Sequence, residues 1–232
     1  MRIQKMLTAA VVGLSAIALF PLTAASPLQT NHPPTVKIEA PANNAALSAD
    51  ASLNYQIQVT DQEDGDSRYD EINTKEVLLE VAQLKSGPQI PAVKGDTALR
   101  VMATNNCFNC HQFNAKSLGP SFFEIAKRYP ANTANADSLI NRIRNGSSGI
   151  WGRTEKMPSH PELSPSAIRS TVRWILQSAA RSDRAWYFGT TGLLHFNKPG
   201  TYSLTATYTD HGTKDQPTLR LTGTDRIIVT VN

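Results

Sequence analysis

Val36 and Ile38 alternate with polar neighbours, as do Leu53, Tyr55, Ile57 and Val59, and then Val77, Leu79 and Val81. A period of two predicts three half-buried strands. Turn-rich stretches such as Pro41-Ala42-Asn43-Asn44 and Asp61-Gln62-Glu63-Asp64-Gly65 part them. The same texture returns after residue 183: Trp186 to Phe188 and Leu193 to Phe196 are strand candidates, Tyr202, Leu204, Ala206 and Tyr208 alternate cleanly, and Arg226 to Val231 make a last strand. Neither flank alone has enough strands to cover two sheet faces. Together they make about seven, the usual content of an all-β immunoglobulin-like sandwich.

Between the flanks the period becomes helical. Asp96 is placed to cap a helix carrying Leu99 and Met102. Ser121 to Tyr129 predicts a second helix, with Phe122, Ile125, Ala126 and Tyr129 on one face and Pro130 as its stop. Asp137 to Asn145 predicts a third, ended by Gly146. Ser164-Pro165 starts a fourth, whose stripe is Ile168, Val172, Ile175, Leu176 and Ala179. The expected organisation is a discontinuous β-domain, 33–94 plus 183–232, with an all-α domain inserted at 95–182. Insertion works when a domain's two ends lie close in space, as chain termini often do.

The helical segment holds the only two cysteines of the chain, in Cys107-Phe108-Asn109-Cys110-His111. C-x-x-C-H is the signature of covalent c-type haem attachment. Each thiol can add to one vinyl group of a single haem c, and the adjacent imidazole projects toward the iron as first axial ligand. A zinc site would need two more Cys or His ligands at a workable spacing. A thioredoxin-type pair would need a strand feeding a redox helix, which the surroundings do not resemble.

Two further features bear on compartment and partners. Residues 1–25 have a secretory layout: Arg2 and Lys5, an apolar run from Met6 to Phe20, then Thr23-Ala24-Ala25 as cleavage site. The expectation is a cleaved signal peptide, a linker over 26–32, and a bacterial periplasmic or secreted protein with no membrane span after cleavage. Charge is uneven: five Lys/Arg against ten Asp/Glu over 26–94, eleven against five over 95–182, and five against four over 183–232. The positive excess thus lies on the helical segment, read either as a solvated surface or as a docking face for an acidic redox partner. No basic run points to nucleic acid.

From about Thr97 to Ala180 the chain resembles the small class I bacterial cytochromes c. The motif is followed by Leu118-Gly119-Pro120, Arg142-Ile143-Arg144-Asn145-Gly146, Gly149-Ile150-Trp151-Gly152 and Met157-Pro158. The resemblance implies that the Pro120 carbonyl orients the haem-ligating imidazole, that Arg142 and Trp151 hydrogen-bond the haem propionates, and that Met157 is the distal ligand. Arg153-Thr154-Glu155-Lys156 makes the loop before Met157 about one residue longer than that pattern expects. The flanks resemble β-sandwich modules of the polycystic-kidney-disease (PKD) type. The whole arrangement is similar to cytochrome modules that accompany secreted quinoprotein-type sugar dehydrogenases.

Apart from the resemblance, the expected mature chain has two methionines, Met102 and Met157. Met102 lies five residues before Cys107 and should pack beside the ring. Met157, in a Pro-bounded loop, can approach from the far side; His160 or an open position are the rival readings. A thioether raises the potential and fills the site, which suits a non-enzymatic electron carrier. The alternatives are a haem-based sensor or catalyst with a labile distal Met, and a carbohydrate- or partner-binding module with a secondary haem. Asp61, Glu63, Asp64, Asp66, Asp70 and Glu71 crowd one stretch without EF-hand spacing. Ca2+ bound near Asp61, Asp64 and Asp66 and a solvated acidic turn are both readings of it. His32, His195 and His211 read as isolated surface or turn histidines.

Overall fold

The computed structural model describes residues 29–48, 52–84, 97–152, 156–196 and 198–232. The secretory segment, the Asp96 cap and residues 153–155 ahead of Met157 lie outside them. The strands before the helical segment are β1 (Thr35–Ala40), β2 (Ala45–Leu47), β3 (Ser52–Asp61), β4 (Gly65–Asp66) and β5 (Leu78–Gln83). The middle holds α1 (Thr97–Thr104), α2 (Phe122–Arg128), α3 (Thr133–Asn145), a short hairpin of β6 (Ser147–Ser148) and β7 (Lys156–Met157), and α4 (Pro165–Ser178). Then come β8 (Arg184–Phe188), β9 (Thr191–His195), β10 (Gly200–Thr209) and β11 (Thr222–Val231).

Strands from the two flanks interleave in two sheets. One is built on β1-β3-β4, with β9 also pairing β3; the other runs β2-β11-β10-β5-β8. Their inner faces meet in one core: Val36, Ile38, Tyr55, Ile57, Val59 and Leu194 pack with Leu79, Val81, Leu204, Ala206, Tyr208, Ile227, Val229 and Val231. The described strands in these sheets number nine, not about seven. The two unforeseen ones, β2 and β4, are three and two residues long, too short to leave a period-two trace.

The helices start and stop for local reasons. Ser121 Oγ accepts from Glu124 N (3.1 Å) while the Glu124 carboxylate accepts from Ser121 N (2.9 Å), a complete capping box for α2. Ser164 caps α4 with Pro165 at its first position. The third helix begins four residues before the expected Asp137, because Asn132 supplies its N-cap by accepting from Asn135 N (2.9 Å).

Over β5 and β8, the sheet that faces the helices carries apolar side chains on both sides, with the Glu80–Arg184 ion pair beside them on the helix-facing one. Along β8, Ala185 and Tyr187 pack on the sandwich core, while Trp186 and Phe188 enter a second core with Leu99, Met102, Phe108, Phe113, Phe122, Ile168, Val172, Trp174 and Ile175. Leu78 of β5 joins it from the same face. Trp186 meets Trp174 edge-on at 5.1 Å, and Phe188 stacks on Phe108 at 4.9 Å and 18°. Aromatic pairs of this kind add about 0.5–1.5 kcal/mol beyond the area they bury. The helical core is therefore completed by side chains from outside the helical segment.

The acidic stretch forms a knot of local and long-range bonds. Asp61 Oδ1 accepts from Glu63 N (2.9 Å) and Asp64 N (2.7 Å), Glu71 accepts from Asp66 N (2.8 Å), and Asp66 accepts from Arg68 N (2.8 Å). Asp64 Oδ2 accepts from Tyr208 Oη (2.7 Å) and His211 N (3.0 Å). Among the described residues no three His, Cys, Asp or Glu side chains converge as a metal ion would require. The histidines are not isolated. His32 pairs with Glu63 (2.7 Å), and His211 bridges Asp64 (3.0 Å) and Glu76 (2.9 Å), partners so far off in sequence that only the folded chain brings them near.

Two outcomes follow. Trp186→Ala should cost about 3–5 kcal/mol, as a buried aromatic truncation does, and helical and β signals should fall together in denaturant; separate transitions would show two independent cores. Hydrogen bonding to Glu76, against some desolvation, lifts His211 from 6.5 to about 9. A folded pKa above the unfolded one stabilises fully below pH 6.5 and is lost as pH rises through about 9. The stability difference between wild type and His211→Ala should therefore shrink across that window, measured by denaturant midpoints.

Candidate functional site

Residues 107–111 occupy a single tight turn between α1 and α2. Asn106 takes a left-handed φ of 60° and ends the first helix. A 3-10 turn over Cys107–Asn109 follows, with Cys110 N and His111 N both donating to Cys107 O (3.2 and 2.9 Å). Positions i, i+3 and i+4 of such a turn share one side. Cys107, Cys110 and His111 all line one cleft in the helical segment. Phe108, between the cysteines, goes the other way: it is 1% exposed, under Phe188. Lys75 Nζ also donates to Asn109 Oδ1 (2.6 Å), so the sandwich holds the back of the turn.

The His111 ring is fixed on several sides. Its Nδ1 lies 2.7 Å from Pro120 O; a carbonyl only accepts, so the ring proton sits on Nδ1 and Nε2 keeps a bare lone pair. Phe122 stacks on the ring at 5.3 Å and 26°. Phe122 is held in turn, because Phe122 N and Phe123 N donate to Gln112 O and Phe113 O (3.0 Å each). Gly119 passes so close that an added Cβ would lie 2.7 Å from His111 Cε1. Burial pushes the imidazole below its ordinary pKa, outweighing the Pro120 bond, and His160 acts in the same direction. The neutral ring is the form that can bind a metal. Burial likewise pushes the Cys107 thiol up to about 11, and the two cysteines form no disulfide.

Met157 reaches the same cleft from the hairpin, where it pairs with Ser147. Gly146 ends α3 with φ 80°, and a Cβ there would lie 2.9 Å from Met157 O, so this glycine lets the hairpin close. Met102 lines the cleft too, fully buried on α1. His160 is a further lining residue, its Nδ1 2.8 Å from Glu162 Oε1.

Arg142 and Trp151 line the cleft and flank Tyr129. Arg142 Nη1 donates to Tyr129 Oη (2.7 Å), and Tyr129 meets Trp151 edge-on at 6.5 Å. Arg128 lies over the Trp151 ring at 4.5 Å and donates to Ile150 O (3.1 Å). The Arg142 guanidinium in a largely apolar cleft, with Arg128 against the lining residue Trp151, is suited to receive a carboxylate. Nothing in the sequence singles out Arg128, which ends α2 and comes near Trp151 only through the fold.

All seven residues singled out from the sequence, Cys107, Cys110, His111, Pro120, Arg142, Trp151 and Met157, line this one cleft. Paired thiols, an imidazole with a free nitrogen, a thioether and the Arg142 guanidinium fit the attachment, iron-ligating and carboxylate-binding needs of haem c. Gly119→Ala should displace the His111 ring and break its bond to Pro120; an unchanged Nδ1–H resonance in the NMR spectrum would show that the ring tolerates the added methyl.

Comparison with known proteins gives the same segment. The Cytochrome c family matches residues 97–179. Cytochrome c2 of Rubrivivax gelatinosus is 38% identical over 73 residues, covering 31% of this chain and 86% of that protein. Cytochrome c-551 of Azotobacter vinelandii is 33% identical over 81 residues, covering 35% of this chain and 96% of its own. Among solved structures, the class 1 cytochrome MtoD of Sideroxydans lithotrophicus ES-1 is 30% identical, covering 39% of this chain and 100% of that one with a TM-score of 0.33.

Proposed function

This chain belongs to the cytochrome c family, and from that premise we propose that it is a monohaem periplasmic electron carrier whose β-sandwich, of the immunoglobulin or PKD type, is a docking module. The observation that carries the reading is the convergence of Cys107, Cys110, His111 and Met157 on one cleft. When bound, the haem supplies an iron that exchanges one electron at a time between its ferric and ferrous forms. Cys107 and Cys110 would hold it by thioethers. His111 Nε2 and Met157 Sδ would ligate its iron, and Arg142 and Trp151 would hydrogen-bond its carboxylates.

The surrounding residues serve a carrier better than a catalyst. Pro120, Gly119 and Phe122 allow the His111 ring one orientation, which keeps rearrangement small when charge changes. A thioether at Met157 favours the reduced state more than a second imidazole would, and it leaves no place for small ligands. Met102, Phe122, Ile125, Leu139, Ile143 and Ile175 give the cleft apolar walls.

The mouth supports exchange with a protein. Leu118 (69% exposed) and Ile150 (36%) both border the cleft, as does the exposed Lys156. An apolar rim beside positive charge suits a redox partner with an acidic face, such as a periplasmic dehydrogenase. Among the described residues no helix is long and apolar enough to cross a membrane.

Carbon monoxide added to the reduced protein at neutral pH should bind slowly or not at all; rapid binding would favour a sensor or catalyst instead. Met157→Ala should remove the sulfur-to-iron charge-transfer band and lower the potential by about 0.1 V, a fraction of the roughly 0.8 V that axial ligands span. An unchanged spectrum would remove Met157 from the assignment.

A further inference from the structure

Two histidines line the cleft, and their rings are held by the same device. His111 Nδ1 faces Pro120 O at 2.7 Å, and His160 Nδ1 faces Glu162 Oε1 at 2.8 Å. A carbonyl and an ionised carboxylate only accept, so in both rings the proton sits on Nδ1 and the Nε2 lone pair is bare. A carboxylate behind an imidazole is also the arrangement that orients a metal-ligating histidine and raises its basicity. No bond from His160 Nε2 to protein occurs among the described residues. The His160 backbone is anchored, with N–H donating to Ile143 O (3.0 Å) and C=O accepting from Leu163 N (3.3 Å). The side chain is 19% exposed, and the residue lies only three positions beyond Met157.

We propose that His160 is a reserve axial ligand: when the Met157 sulfur leaves the iron, His160 Nε2 takes the vacated position. The inference rests on the reading of Met157 as the resident distal ligand. Glu162 keeps the ring in the ligating tautomer while Met157 is in place. Exchange would replace a soft thioether, which favours ferrous iron, by an imidazole, which favours ferric. Loss of the methionine as a ligand, for instance when a peroxide transfers one oxygen atom to its sulfur and leaves as water or alcohol, would then leave a closed, low-potential iron and no open position for further peroxide.

The test uses the full-length holoprotein. Ferric Met157→Ala should be six-coordinate and low-spin, with a bis-imidazole signature in electron paramagnetic resonance. Met157→Ala/His160→Ala should be high-spin, and its reduced form should take up carbon monoxide at least tenfold faster than the single variant. Glu162→Gln added to Met157→Ala should raise the high-spin fraction, which a purely structural role for Glu162 would not do. Met157→Leu, which keeps the apolar volume, should behave as Met157→Ala does. Single and double variants that are equally high-spin would overturn the reserve role while leaving Met157 as the resident ligand. A bis-imidazole signature in the wild type would overturn the reading of Met157 itself, and the reserve role with it.

Discussion

The hydrogen bond from His111 Nδ1 to the Pro120 carbonyl is the contact around which the site is organised. It decides which nitrogen carries the proton, and therefore which nitrogen is left to bind a metal. Much nearby structure serves that bond. Gly119 lacks the carbon that would strike the ring, the capping box of α2 fixes the segment just after Pro120, and Phe122 covers the imidazole face. Burial then lowers the ring's pKa and so favours its neutral form. A buried charged imidazole would be costly, whereas a buried neutral one with its proton already bonded is not.

The second organising feature is the stretch of sheet over β5 and β8 that buries apolar side chains on both faces. One side closes the sandwich and the other closes the helical core, so the two packed layers share a wall. Phe188 and Lys75 reach the turn that carries the cysteines. A load on the sandwich is thus borne within a few ångströms of the attachment residues. Such a wall resists relative motion of the two parts, because close-packed interiors have low compressibility and transmit strain.

Charge and exposure complete the picture. The helical segment carries the chain's positive excess, and exposed Leu118 and Ile150 border the cleft. On the proposed reading as an electron carrier, the rim of the cleft is where a redox partner would approach. Apolar contact with charge steering gives brief, oriented encounters.

The amino-acid sequence by itself determined what depends on neighbours along the chain. Period-two and helical patterns located the strands and helices, Ser121, Ser164 and Pro165 marked helix starts, and the Cys107–His111 spacing named the chemistry, because a single turn brings those side chains to one side. Resemblance carried Pro120, Arg142 and Trp151, while Met157 was also reached from its placement relative to Met102; all four line the cleft. Tertiary structure alone decided contacts between distant segments: Arg128 over Trp151, His211 between Asp64 and Glu76, Phe188 beneath Phe108, and the sheet wall shared by two cores. Strands as short as Ala45–Leu47 also stayed hidden, since they exist only through pairing with β11. Local preference has a range of a few residues, whereas these contacts join segments separated by tens to more than a hundred residues, and only the packed chain selects among them.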